Sequence, residues 1–191
     1  HSPAPPYDVL STKNMTLNDV MQFSYLSKII DSYYNTKTMK TLFRFAAIQD
    51  SSFLQAFLKF AAERFLPNEK PSLDARFKLL FDFSQSTNND LLYSATLFSY
   101  CAAGFFQSTI NNMTPLKNDA LKSLLLHNHT VLWTDNKKII ERPAYMISFE
   151  YNAGDIWLNP ETEITKGKYN YLFLLSQGGM SKKISKIIKI P

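Results

Sequence analysis

The chain has 191 residues, of which 45% are hydrophobic and 14% aromatic. That is enough for one ordinary domain or two small ones, and it excludes disorder for most of the length. The net charge of +5 comes from 21 Lys and Arg against 16 Asp and Glu, too sparse a basic footprint for a general nucleic-acid binder.

The opening HSPAPPYDVLS has neither a methionine nor an apolar signal core. It is expected as an extended arm over 1–14 and as a trimmed N-terminus. Sequons at Asn14, Asn112 and Asn128 would matter only in a secretory pathway. Thr16 with Asp19 three residues on predicts a helix start. Val20, Phe23, Ser24, Ser27, Ile30 and Tyr34 outline one stripe to about Asn35. A second helix is predicted over Thr38–Gln49, with Leu42, Phe45, Ala46 and Ile48 inward. A third runs from Phe53 until Pro67 stops it, with Phe53, Phe57 and Phe60 on one row. Pro71-Ser72 leads into a fourth, Leu73–Ser84, with Leu73, Phe77, Leu80 and Phe81 inward.

The next stretch organises the chain. Leu91–Ile110 reads LLYSATLFSYCAAGFFQSTI, and no Lys, Arg, Asp or Glu occurs from Leu91 through Leu116. Asn88, Asn89 or Asp90 can cap it. A helix apolar nearly all round is a buried one. Twenty residues, about 30 Å, is also membrane length. Ser94, Thr96, Ser99, Gln107, Ser108 and Thr109 make it too polar for a span. The neighbouring amphipathic helices need a common apolar partner, so it is read as the hub of a soluble bundle, with Cys101 as filler. Pro115 is expected to start a short helix to about Leu126.

From Thr130 the apolar period changes to two. Val131–Thr134 and Lys137–Glu141 read as a hairpin. Tyr145, Ile147, Phe149 and Tyr151 alternate, as do Tyr169, Tyr171, Phe173 and Leu175. Asn152–Asp155 reads as a turn, Ile156-Trp157-Leu158 as a short strand and Lys182–Ile190 as the last strand. The predicted fold class is therefore α+β. A helical unit over 15–127, built around the buried central helix, precedes an antiparallel unit of five or six strands over 128–191, packed on it or adjoining it.

Chemistry-bearing motifs are few. His127-x-His129 has strand spacing for zinc or copper, with Asp135 or Glu141 as a third ligand. A free N-terminal His1 could chelate copper, and Glu150, Asp155, Glu161 and Glu163 cluster near strand ends. There is no nucleophile elbow and no phosphate-binding loop. The segment from Lys166 onward carries six Lys and no acid. As a strand, its lysines would guard a sheet edge. As a helix, it would rest on an anionic membrane.

The leading expectation is a non-enzymatic interaction component outside the cytoplasm, secreted or periplasmic: an envelope, secretion-system or host-interacting protein. Its partner would be another protein, met through Trp157, Lys182, Lys183, Lys186 and Lys189. No cofactor and no nucleic acid are expected. A carrier with an apolar pocket lined by Phe53, Phe57, Phe77 and Phe98 is the second reading. A hydrolase or metal enzyme in the β unit is the third.

Overall fold

A computed structural model describes residues 13–64, 71–106, 113–116, 130–134, 144–176 and 183–191. Helix α1 spans Leu17–Ile29 and begins in a complete capping box. The Thr16 hydroxyl accepts the Asp19 N–H at 3.2 Å, and the Asp19 carboxylate accepts the Thr16 N–H at 2.8 Å. A π-helical turn, Ile30–Tyr34, continues it. Helices α2 (Lys37–Gln49), α3 (Phe53–Ala62) and α4 (Leu73–Ser86) follow at the predicted places. Their rings interlock, with Phe43, Phe53, Phe57 and Phe83 at centroid separations of 5.0 to 5.7 Å. Edge-to-face and offset geometries of this kind add to simple burial.

The hub helix α5 is Asp90–Ala102, shorter than the predicted Leu91–Ile110. Asn89 is its cap, accepting the Leu92 N–H at 2.8 Å. Gly104, at φ 90°, ends it. The Gly104 N–H donates to the Cys101 carbonyl at 2.9 Å and the Phe105 N–H to the Tyr100 carbonyl at 3.2 Å. This is the Schellman arrangement, which glycine adopts without a Cβ penalty. Among the described residues no helix is long and apolar enough to cross a membrane.

Strands β1 (Met113–Leu116), β2 (Thr130–Thr134), β3 (Ala144–Tyr151), β4 (Lys166–Ser176) and β5 (Lys183–Ile190) form one antiparallel sheet in the order β1-β3-β4-β5-β2. The fold is α+β, with the helices first and the sheet after them. Two local expectations are overturned. Met113–Leu116 is a strand paired with β3, so no helix starts at Pro115. The backbone nitrogen of proline cannot join a ladder as a donor, and a strand at the end of the sheet order tolerates that loss. Ile156-Trp157-Leu158 belongs to a helix, α6 (Ala153–Leu158), not to a strand. The remainder of the helix predicted from Pro115 to about Leu126, and the hairpin limb at 137–141, lie outside the described residues.

The reading of the tail as an edge is also corrected. β5 is a strand, but it lies between β4 and β2. The grounds for resting it on a membrane as a helix go with the helix. A bulge shifts its register against β4 between Leu174 and Leu175. Ile184 and Ile187 therefore join the helix-facing cluster, while Ile188 and Ile190 pack with Leu172, Leu174 and Met146. Strict alternation had put Ile184 with Ile188 and Ile190.

Helix α5 meets both halves. Leu92, Ala95 and Tyr100 join the core of the helices. Leu97, Phe98 and Cys101 pack on Ile147, Phe149, Tyr171, Phe173 and Ile187 of the sheet. Cys101 is fully buried, and burial pushes its thiol pKa up, so it is filler rather than a nucleophile.

Candidate functional site

Helix α6 is held by one buried side chain. The Asn152 carbonyl accepts the Asp155 and Ile156 N–H groups at 3.0 and 3.1 Å, which starts the helix. Its side-chain amide donates to the Glu163 carbonyl at 2.8 Å and accepts the Thr165 N–H at 2.9 Å. The Asn-Ala-Gly-Asp that reads as a turn is thus a first helical turn, clasped by a segment eleven to thirteen residues later. Gly154 lets α6 approach the sheet. A Cβ there would sit 2.5 Å from Tyr171 Cε1 and 2.7 Å from Leu132 Cδ1. The Gly154 N–H donates to the Tyr171 hydroxyl at 3.2 Å.

This places the Trp157 ring 5.8 Å from that of Phe98, half-buried, at the rim of a hollow of about 750 Å³. The other walls are Asn35, Lys37, Thr38, Lys40 and Thr41 at the start of α2, Ala102 and Ala103 at the end of α5, and Ile187 of β5. Sequence reasoning identified only Trp157 among them. The start of α2 has an unusual charge pattern: Lys37 stands at its first position and no acid occurs in the first turn. Thr36 makes no side-chain cap. Its hydroxyl instead donates to the Ser32 carbonyl at 2.7 Å and accepts from the Arg76 guanidinium at 3.0 Å. The positive end of the helix dipole and two lysines therefore border one hollow, with an indole and an isoleucine beside them. That arrangement suits an acidic group carried on an apolar body.

Three of the four acidic residues near the strand ends are each paired with a base. Asp155 accepts from Lys189 Nζ at 2.7 Å, with both side chains about one-third exposed. The same ammonium lies 5.1 Å from the Tyr169 ring centroid. Glu161 pairs with Arg44 of α2, tying the helices to the α6 loop. Glu150 reaches Lys166 Nζ at 3.9 Å, and Glu163 is exposed. Burial pushes the Tyr171 hydroxyl pKa up, which disfavours a phenolate.

The other expected residues scatter. Lys186 is half-buried in β5, Lys183 belongs to the same strand, and Lys182 lies outside the described residues. His1, His127, His129, Asp135 and Glu141 also lie outside them. No group of three metal-ligating side chains occurs among the described residues. Phe53, Phe57 and Phe77 pack in the helical core, whereas Phe98 packs on the sheet. Phe53 and Phe57 stack at 5.6 Å, and Phe77 meets Tyr100 edge-on at 5.3 Å.

The chain belongs to the family described as Protein of unknown function (DUF4080), whose model matches residues 1–153. Neither a curated protein nor a solved structure matches it. The matched span takes in the α2 and α5 walls of the hollow, while Trp157 and Ile187 lie beyond it.

Proposed function

We propose that this DUF4080-family chain is a non-enzymatic interaction component, and that it grips an acidic segment of another protein in the Trp157 hollow. The observation that carries the reading is the pairing of Trp157 with Lys37 and Lys40 around one hollow of about 750 Å³. A half-buried indole is the side chain most often found to anchor a protein interface. Two lysines in the first turn of a helix are placed against the helix dipole, and an acidic partner relieves that conflict. The Asn152 clasp and the close approach at Gly154 fix the indole before binding. A preorganised anchor loses less entropy on association.

The test is quantitative capture from native extract with three forms of the chain: wild type, Trp157→Ala, and the Lys37→Glu/Lys40→Glu double variant. One protein species should be retained in stoichiometric amount by wild type. Each variant should retain it about tenfold less well, the loss of one interface anchor. If all three forms retain the same species equally, the hollow is not the docking site and the proposal fails.

A further inference from the structure

Arg44 stands beyond the Trp157 hollow, in line with the two lysines of its wall. Lys37, Lys40 and Arg44 follow the three-then-four spacing that puts side chains on one helix face. From Lys37 to Arg44 is two turns of α2, about 10 Å. Lys37 and Lys40 wall the hollow, and Arg44 does not. All three residues are exposed. Of the three, only Arg44 has a carboxylate partner among the described residues, and that partner is Glu161. The basic row therefore runs past the hollow, and its far end is occupied by an acid of the chain itself.

Glu161 is brought there by the loop that leaves α6, four residues after Trp157. The Asn159 side chain accepts the Glu161 N–H at 3.1 Å, and the Asn159 carbonyl accepts the Thr162 N–H at 3.1 Å. The Asn152 amide holds the same loop at Glu163 and Thr165. The backbone at Glu161 is thus fixed from both sides, and its carboxylate reaches α2 from the element that carries the indole. The pair it makes is weakly held. The Arg44 and Glu161 side chains are 51% and 60% exposed. An ion pair in that setting adds little net stability, so an incoming carboxylate can replace it.

We propose that Glu161 is a built-in competitor at the docking row: its carboxylate holds Arg44 in the free chain, and a carboxylate of the acidic partner displaces it on binding. This rests on the reading of the Trp157 hollow as the docking site, and it adds the extent and the regulation of that site. The partner sets its apolar part against Trp157 and one acid beyond the hollow, at Arg44. While Glu161 is in place only a fraction of the chains offer a free guanidinium, and the apparent affinity falls by that fraction. For so exposed a pair the reduction is a few-fold. The opposite role is a brace, in which the pair holds α2 against the α6 loop and keeps the hollow in shape. The two roles differ in sign: removing a competitor tightens binding, and removing a brace loosens it.

The probe is acetyl-Glu-Glu-Leu-Leu-Glu-Glu amide, whose six residues reach about 20 Å when extended and so cover the row. Its binding to the intact chain at low salt is followed by NMR, through the Trp157 indole N–H, the Thr38 and Ala103 amides and the Arg44 Nε–H. All four signals should shift saturably. Trp157→Ala should weaken binding about tenfold. Glu161→Gln should bind about threefold more tightly and Arg44→Gln about threefold more weakly. The Glu161→Gln gain should vanish in the Arg44→Gln background, which separates competition for one guanidinium from a general change of charge. If Trp157→Ala weakens binding but Glu161→Gln does not tighten it, or its gain survives without Arg44, the competitor is overturned and the docking site stands. An Arg44 Nε–H that stays still in the saturated complex has the same meaning. If the probe does not saturate by about 10 mM in wild type or Glu161→Gln, or if Trp157→Ala binds as wild type does, the docking reading fails and the competitor falls with it.

Discussion

At Gly154 one added methyl group would collide with two side chains, Tyr171 and Leu132. Tyr171 cannot simply swing away, because its ring lies 4.9 Å from Phe98 and 5.5 Å from Phe149. Gly154→Ala should therefore act as overpacking and cost about 1–3 kcal/mol. A urea titration should show the midpoint falling with an unchanged slope; an unchanged midpoint would mean that α6 does not sit this close to the sheet. In the sequence this glycine is one letter in a turn-like Asn-Ala-Gly-Asp. Its partner, Tyr171, is seventeen residues on, beyond the reach of a local pattern. The residues of the proposed docking hollow were legible to a similar degree. Trp157 stands out by type alone, whereas Lys37 and Lys40 read as an ordinary helix start. Their signal was a broken rule, cations without acids in a first turn, and such breaks cluster where function is served.

Between elements, α4 and α5 are tied by Asp74, which accepts from the Tyr100 hydroxyl at 2.9 Å and from Lys78 Nζ at 2.8 Å. The Lys78 hydrogen bond foremost, with help from Tyr100, holds the Asp74 carboxyl below its ordinary 3.8, although burial opposes this. A carboxyl whose pKa is lower folded than unfolded adds stability at neutral pH, and that stability is lost as pH falls through the folded pKa. Asp74→Asn should thus be less stable than wild type near neutrality. The difference should shrink only as the pH falls below the ordinary carboxyl value of 3.8 and through the lowered pKa of the folded protein, where the wild-type carboxylate takes up its proton. Chemical denaturation of both proteins across that range checks it; a gap that stays constant would mean that the carboxylate charge is irrelevant. The helices themselves were legible because three-to-four spacing and caps are local. The strands β3 and β4 were equally plain from their alternation. One error is local, the Schellman turn at Gly104 that ends α5; the others fall where a distant partner decides, in the pairing of Met113–Leu116 with β3 and in the bulge that turns Ile184 toward the helices. β5 could not be placed inside the sheet from its lysines, since nothing in its own letters says that β2 returns beside it.

For the molecule as a whole, the division of α5 between two cores has a mechanical consequence. One face supplies Leu92, Ala95 and Tyr100 to the helices, and another supplies Leu97, Phe98 and Cys101 to the sheet. Neither cluster keeps its full complement of contacts once α5 leaves, so the helices and the sheet should unfold as one cooperative unit. Phe98 is the sharpest probe. It is fully buried and meets the rings of Phe149, Trp157, Tyr171 and Phe173 at 4.9 to 5.8 Å. Phe98→Ala should cost about 3–5 kcal/mol. Helical circular dichroism and tryptophan fluorescence, followed in one urea titration, should move together to a lower midpoint. Ile48, on α2 but 48% exposed, is the control, and Ile48→Ala should stay within about 0.5 kcal/mol of wild type. If Phe98→Ala shifts the fluorescence transition while the helical signal keeps its wild-type midpoint, the helices stand without the sheet and α5 does not couple the two.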